Sequence, residues 1–259
     1  MSEPKLRYEK VGAVGRITFD NPTALNALTV QMWADLGRVC REIAEDRSVR
    51  VVTLRGAGGK AFLSGTDITG FLDFTSGKDG IAYEARMDEY VGAVEALPQP
   101  VLAIVEGWAV GGGLALSCAA DFRIATPSAK FGSPLGRTIG NCLSAKGYAR
   151  AVAHVGIAQA KRMLLLGEMI PAQEMLSLGL LHSIVEPEQL DEAAQAICDR
   201  LASMAPLTMK ASKEAMRRLT YRALPDIDDL VEEVYGSHDF RTGVRNFLEK
   251  KGKPDWTGA

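Results

Sequence analysis

The sequence predicts an α/β fold, with a largely parallel sheet in the first two thirds of the chain and a helical unit after it. Three observations carry this. Short apolar runs at 49–54, 101–105 and 122–125 alternate with helix-length segments at 29–46, 81–97 and 111–120, and that alternation builds parallel sheets with helical crossovers. From Ser144 onward the pattern is nearly all helical, with one strand near 182–185. The chain has 259 residues, 47% of them apolar, which suffices for one large core with at most a small appended unit.

Taken in order, residues 5–19 read as a hairpin. Leu6, Tyr8, Val14, Ile17 and Phe19 are strand-like and Gly12 lies at the turn. Met32, Leu36, Val39, Cys40 and Ile43 fall on one face of an amphipathic helix over 29–46. A buried strand at 49–54 is closed by Gly56-Ala57-Gly58-Gly59. A long loop with several glycines fills 64–80, and a helix spans 81–97. The strand at 101–105 is bounded by Pro100 and Gly107. Gly111-Gly112-Gly113 then opens a helix through Ala120, and a short strand follows at 122–125. Pro171, Pro187, Pro206 and Pro225 sit near helix starts, where proline is tolerated. The chain divides into an α/β core over 1–190 and a helical unit over 191–259.

Composition excludes several classes. Thirty basic and 32 acidic residues give a net charge of −2, without the basic excess of a general nucleic-acid binder. No stretch approaches the ~20 apolar residues that span a bilayer. Residues 1–10 are polar and hold no signal core, so a cytoplasmic protein is expected. Cys40, Cys118, Cys142 and Cys198 lie far apart, with no C-x-x-C pair, and only three histidines occur. A structural metal site is therefore not expected, and each cysteine reads as a small buried hydrophobe. No G-x-S-x-G elbow, P-loop or dinucleotide-binding glycine motif is present.

Two segments carry chemistry. One is Lys60-Ala61-Phe62-Leu63-Ser64-Gly65-Thr66-Asp67-Ile68. The other runs from Val105 through Gly111-Gly112-Gly113 to Leu116, a strand followed by glycines and an apolar helix. Glycines let a ligand approach the backbone, and a helix start leaves N–H groups unpaired with the positive end of the helix dipole behind them. Such a place suits an oxygen that gains negative charge. The other reading of three glycines is tight helix–strand packing.

The pattern A-F-x-x-G-x-D-I, then a strand and G-x-x-x-G-G-G, resembles the crotonase (enoyl-CoA hydratase/isomerase) signature. Supporting matches are Asn21-Pro22 with Ala24-Leu25-Asn26-Ala27-Leu28, Asp121, Phe131-Gly132, and Phe247-Leu248-Glu249-Lys250-Lys251 with Pro254. The resemblance spans residues 10–257. It implies a spiral of ββα units with a C-terminal helical trimerisation domain, assembled as a homotrimer or a dimer of trimers. It implies an acyl-CoA substrate, with coenzyme A entering as part of the thioester and no separate cofactor, metal, nucleic acid or membrane. By motif position, the backbone N–H groups of Thr66 and Gly112 would hold the enolate-like oxyanion. Ser64, Thr66, Asp67, Ile68 and Gly112 would lie along CoA, with Ala24 close by. Phe247 and Lys250 match a pair that reaches CoA from the C-terminal helix, sometimes that of a neighbouring subunit, and Lys250 would offset phosphate charge.

The resemblance breaks at the proton-transfer groups. The family's hydratases place one glutamate three residues beyond the central glycine and a second after the F-G-x-P turn, to orient water and exchange its proton. Here those positions are Ala115 and Leu135. Three places could substitute. Asn141 can hold a water or a carbonyl, or cap the helix that follows. Glu84 and Asp88 share a helix face at i, i+4, either as proton-transfer groups or as a solvated face. Cys142 would be a nucleophile if its pKa were lowered at a helix start. Arg137 could pair with a carboxylate-bearing acyl group or brace its turn. The expectation is a lyase or isomerase of acyl-CoA thioesters that lacks the classical glutamate pair. The sequence leaves its reaction open among hydration, isomerisation, C–C cleavage and thioester chemistry on an uncommon acyl group. The alternatives are a catalytically silent acyl-CoA binder and a subunit of a hetero-oligomer.

Overall fold

The computed structural model describes residues 3–252, 254 and 256–258. The chain opens with the expected hairpin. Strands β1 (Lys5–Val11) and β2 (Val14–Asp20) pair antiparallel across a turn at Gly12. Helix α1 (Val30–Glu45) follows. Thr29 caps it by accepting from the Met32 N–H at 3.2 Å. All five residues expected on its inner face are buried.

The chain then winds as a spiral and gives one strand to each of two sheets per turn. Strand β3 (Val51–Gly56) leads to β4 (Ala61–Leu63) and helix α2 (Gly77–Glu95). Strand β5 (Val101–Val105) leads to β6 (Trp108–Val110) and α3 (Gly112–Ala119). Strand β7 (Phe122–Ala125) leads to β8 (Lys130–Gly132), a short α4 (Leu135–Thr138) and α5 (Ala145–Leu165), which is broken at Gly156. Strand β9 (Ile170–Pro171), helix α6 (Ala172–Ser177) and β10 (Ser183–Ile184) close the two sheets. The larger sheet has the order β1-β2-β3-β5-β7-β10 and the smaller β4-β6-β8-β9. Pairing is parallel except at β1–β2 and β8–β9. This is the ββα spiral that the resemblance implies. Periodicity found only the larger sheet, because a three-residue strand is too short to display alternation.

Helices α7 (Leu190–Ala202), α8 (Pro206–Thr220), α9 (Asp228–Gly236) and α10 (His238–Leu248) complete the chain. Helix α7 buries Leu190, Ala194 and Cys198 against Val51, Leu102 and Ile124, covering one face of the larger sheet. Asp121 accepts from the Val101 N–H at 2.7 Å and pairs with Lys213, which fastens α8 to the start of β5. Helices α9 and α10 fold back over their own chain, where Phe71, Val231, Tyr235, Phe240 and Val244 form a separate buried cluster.

Helix α2 starts at Gly77, four residues ahead of the sequence expectation. A capping box of Ser76 and Asp79 opens it. Its two early glycines weaken the helical signal, yet both are required by packing. A Cβ on Gly77 would lie 1.9 Å from the Glu232 carbonyl oxygen, and one on Gly80 would lie 2.1 Å from the Tyr235 ring. Among the described residues, no helix is long and apolar enough to cross a membrane.

Candidate active site

Strands β4 and β6 are parallel neighbours, so the segments leaving their C-terminal ends emerge side by side. The first carries Thr66 and the second carries Gly112. Leu28 frames the first. Its N–H donates to Gly65 O at 3.0 Å, and its carbonyl accepts from the Asp67 N–H at 2.8 Å. Those bonds take the groups on either side of Thr66, so the Thr66 N–H points away from Leu28. No hydrogen bond of the described residues uses it. The Asn21–Asn26 segment braces the frame, because the Asn26 amide donates to the carbonyls of Ala57 and Ala61. Gly112 is the first residue of α3 and has no intrahelical acceptor. Two N–H groups are thus left unpaired at adjoining strand ends.

The three glycines have separate tasks. Gly111 makes the turn at φ +54°, ψ −112°, a conformation closed to other residues. A Cβ on Gly113 would fall 2.4 Å from the Leu63 carbonyl oxygen, so this residue is where helix and strand pack tightly. Gly112 itself faces the Thr66 hydroxyl and the Trp33 ring. Both sequence readings of the glycine run therefore apply, at different residues. The Trp33 indole N–H donates to Thr66 Oγ1 at 3.3 Å and fixes that side chain.

Beyond these backbone groups lies a cavity of about 190 Å³. Thr66, Gly112, Glu84, Asp88 and Asn141 all line it, and so do Ala115 and Leu135. Its farther wall is apolar, with Met87, Val91, Cys118 and Met163. The positions of the family's two glutamates therefore face the cavity as hydrocarbon, and the carboxyl groups come from α2.

Glu84 is only 7% exposed. Its Oε1 accepts from the Tyr235 hydroxyl at 2.6 Å and its Oε2 from the Ser144 N–H at 2.9 Å. Burial pushes its carboxyl up to about 7, and the nearby Asp88 charge adds to that. The two hydrogen bonds and Arg150 pull the other way. Asp88 accepts from the Ser144 hydroxyl at 2.9 Å, and its pKa is also raised by burial. The two carboxyls therefore clasp one residue, Ser144, which caps α5 by accepting from the Gly147 N–H. The solvated-face reading of Glu84 and Asp88 is corrected here: the face is an inner wall. A carboxyl with a pKa near neutrality can both take and return a proton.

Asn141 does not cap the helix; Ser144 does. The Asn141 amide donates to the Tyr235 hydroxyl at 3.3 Å, and its Oδ1 is buried without a partner. Cys142 is no nucleophile, since burial pushes its thiol up to about 12. Arg137 is exposed and is not among the residues lining the cavity.

Of the residues expected along CoA, Ser64, Thr66, Ile68, Gly112 and Phe247 line the cavity. Ala24 joins them through its carbonyl, which accepts from the Ser64 hydroxyl at 2.9 Å. Asp67 and Lys250 are exposed and lie outside the lining. Asp67 instead holds the following turn, accepting from the Thr69 N–H and hydroxyl. Phe247 reaches the cavity of its own chain. Sequence reasoning missed Trp33, Tyr83, Ser144 and Tyr235. The one available signal was that a tryptophan or tyrosine inside an apolar face needs a partner for its polar end.

Comparisons with known proteins identify the family. The enoyl-CoA hydratase/isomerase family model matches residues 9–259. The short-chain-enoyl-CoA hydratase of Clostridium acetobutylicum is 33% identical over 250 residues, covering 94% of each chain. The crystal structure of an enoyl-CoA hydratase/carnitine racemase from Magnetospirillum magneticum is 33% identical, with a TM-score of 0.79 over 100% of this chain and 97% of that one. Methylmalonyl-CoA decarboxylase in complex with 2-nitronate-propionyl-CoA is 25% identical, with a TM-score of 0.89 over 98% of both chains. By sequence and by fold, this chain belongs to the enoyl-CoA hydratase/isomerase family of the crotonase superfamily.

Proposed function

We propose that the protein processes an acyl-CoA thioester through an enolate, and that Glu84 carries the proton. One observation carries the reading: two unpaired N–H groups and a buried carboxyl titrating near pH 7 share a single cavity. The thioester oxygen sits on the N–H groups of Thr66 and Gly112. Ionised Glu84 takes a proton from Cα, the C–H electron pair forms a Cα=C bond, and the thioester oxygen becomes negative. In other enzymes one such donor is worth about 3 kcal/mol of barrier. Glu84, now protonated, returns the proton to Cα or to the γ carbon of an unsaturated chain. Burial, with the Asp88 charge adding to it, holds Glu84 in its protonatable range, and Asn141 offers its open Oδ1 to a donor on the acyl group. Ser64, Ile68 and Phe247 flank the CoA arm beside Ala24 and Asp67, and the exposed Lys250 meets its phosphates.

Ala115 and Leu135 leave the family's two water-orienting positions as hydrocarbon, so proton transfer on the acyl chain is favoured over hydration. A 3-enoyl-CoA to 2-enoyl-CoA shift uses one carboxyl and no water. A second reading is favoured by the likeness to methylmalonyl-CoA decarboxylase. Loss of CO₂ from a 2-carboxyacyl thioester yields the same enolate, which protonated Glu84 then quenches. The test supplies 3-enoyl-CoA, methylmalonyl-CoA and crotonyl-CoA side by side. Turnover of one of the first two is expected. Rapid hydration of crotonyl-CoA would contradict the reading, and tight binding without any turnover would mark a silent binder.

A further inference from the structure

We infer that Tyr235 is a positioning residue whose hydroxyl is a two-way hydrogen-bond switch, letting Glu84 gain and lose its proton while the carboxyl and the phenol both stay paired. The inference rests on the reading of Glu84 as proton carrier.

Tyr235 lies on α9 and is 1% exposed. Its hydroxyl oxygen is 2.6 Å from Glu84 Oε1, 3.4 Å from Cys142 O and 3.3 Å from Asn141 Nδ2. A phenol has one proton to give and two lone pairs. With Glu84 ionised, the Tyr235 proton goes to Oε1 and the Asn141 amide donates to the phenol oxygen. With Glu84 protonated on Oε1, that carboxyl must donate instead, and the phenol oxygen receives it. The phenol proton then turns to the Cys142 carbonyl, while the Asn141 amide and Ser144 N–H keep their bonds. The carboxyl and the phenol each keep a partner in both states, so the proton can come and go without orphaning either of them.

The packing is specific to this ring. Gly77 and Gly80 let α9 lie directly on α2, and any side chain at 80 would occupy the ring's place. The groups around Glu84 are Asp88 and Tyr83 on α2, Cys142 before α5, Tyr148 and Arg150 on α5, and Tyr235 itself. Lys146 and Glu95 act on Asp88. Burial raises the Tyr83, Tyr148, Tyr235 and Cys142 pKa values and leaves the two carboxyls as the groups that titrate.

The experiment follows the pH profile of solvent deuterium entering Cα of butanoyl-CoA. Tyr235→Phe should move the profile up by about one pH unit and slow exchange at neutral pH about 5-fold, with butanoyl-CoA affinity unchanged. A 3-fluorotyrosine placed at 235, a stronger donor that preserves the packing, should move it down. Opposite shifts are not produced by a merely structural role. Profiles of both variants that overlay the wild type would overturn the switch. If Tyr235→Phe does not fold, the fluorotyrosine protein decides alone. A Glu84→Gln variant run in parallel separates the two readings. If it exchanges like wild type, the Glu84 reading and the switch both fall. If it is inactive while the profiles overlay, only the switch falls.

Discussion

At Glu84, burial opposes two hydrogen bonds and an arginine, and burial prevails. The pKa rises from 4.5 in the unfolded chain to about 7 in the folded one. Between those values the folded state holds a proton that the unfolded state has lost. The stability this group contributes is therefore full below pH 4.5 and is lost as pH rises to about 7, by ~3 kcal/mol. The melting temperature should fall from pH 5 to pH 8 more steeply in wild type than in Glu84→Gln, as read by calorimetry. Gly112→Pro tests the other half of the site. Proline is tolerated at a first helical position, so the fold should persist while the N–H is gone, and turnover should fall by at least ~100-fold. Thr66 and Gly112 were legible in the sequence because a backbone donor is fixed by a local turn motif. Glu84 and Asp88 were legible as a pair on one face. Which way that face points was not, because Glu84 finds Tyr235 across 151 positions and Ser144 across 60.

Among the elements, α2 shows how packing overrides local propensity. Gly77 and Gly80 blur its start in the sequence, yet α9 docks on them. Gly80→Ala should destabilise the protein by ~1–3 kcal/mol, because the new methyl meets the Tyr235 ring. Gly92→Ala on the same helix meets nothing within 4 Å and should stabilise by ~0.5–1 kcal/mol. Urea unfolding of the two variants checks both signs. The larger sheet, α1 and α3 were readable from apolar runs, an amphipathic face and a glycine run. Strands β4, β6 and β8 were hidden, since each has three residues and its partner lies a full spiral turn away. Those hidden strands set the site, because β4 and β6 bring Thr66 beside Gly112.

For the whole molecule, the chain's C-terminal helices reach its own site: Phe247 lines the cavity and Tyr235 hydrogen-bonds Glu84. Helices α5 and α8 meanwhile leave Ile157, Leu165, Leu207 and Leu219 more than half exposed, an apolar surface of the kind that marks association. A homotrimer or a dimer of trimers is expected, and native mass spectrometry should give three or six times the chain mass. A monomer would contradict this, and a stable homo-oligomer would count against an obligate partner chain. The most direct test of the enolate account is deuterium uptake at Cα of butanoyl-CoA, a thioester that can be neither hydrated nor isomerised. Wild type should take up deuterium with a rate that rises through about pH 7, while Glu84→Gln and Gly112→Pro should bind the thioester and lose at least ~100-fold in rate. Uptake by Glu84→Gln at the wild-type rate would contradict the account.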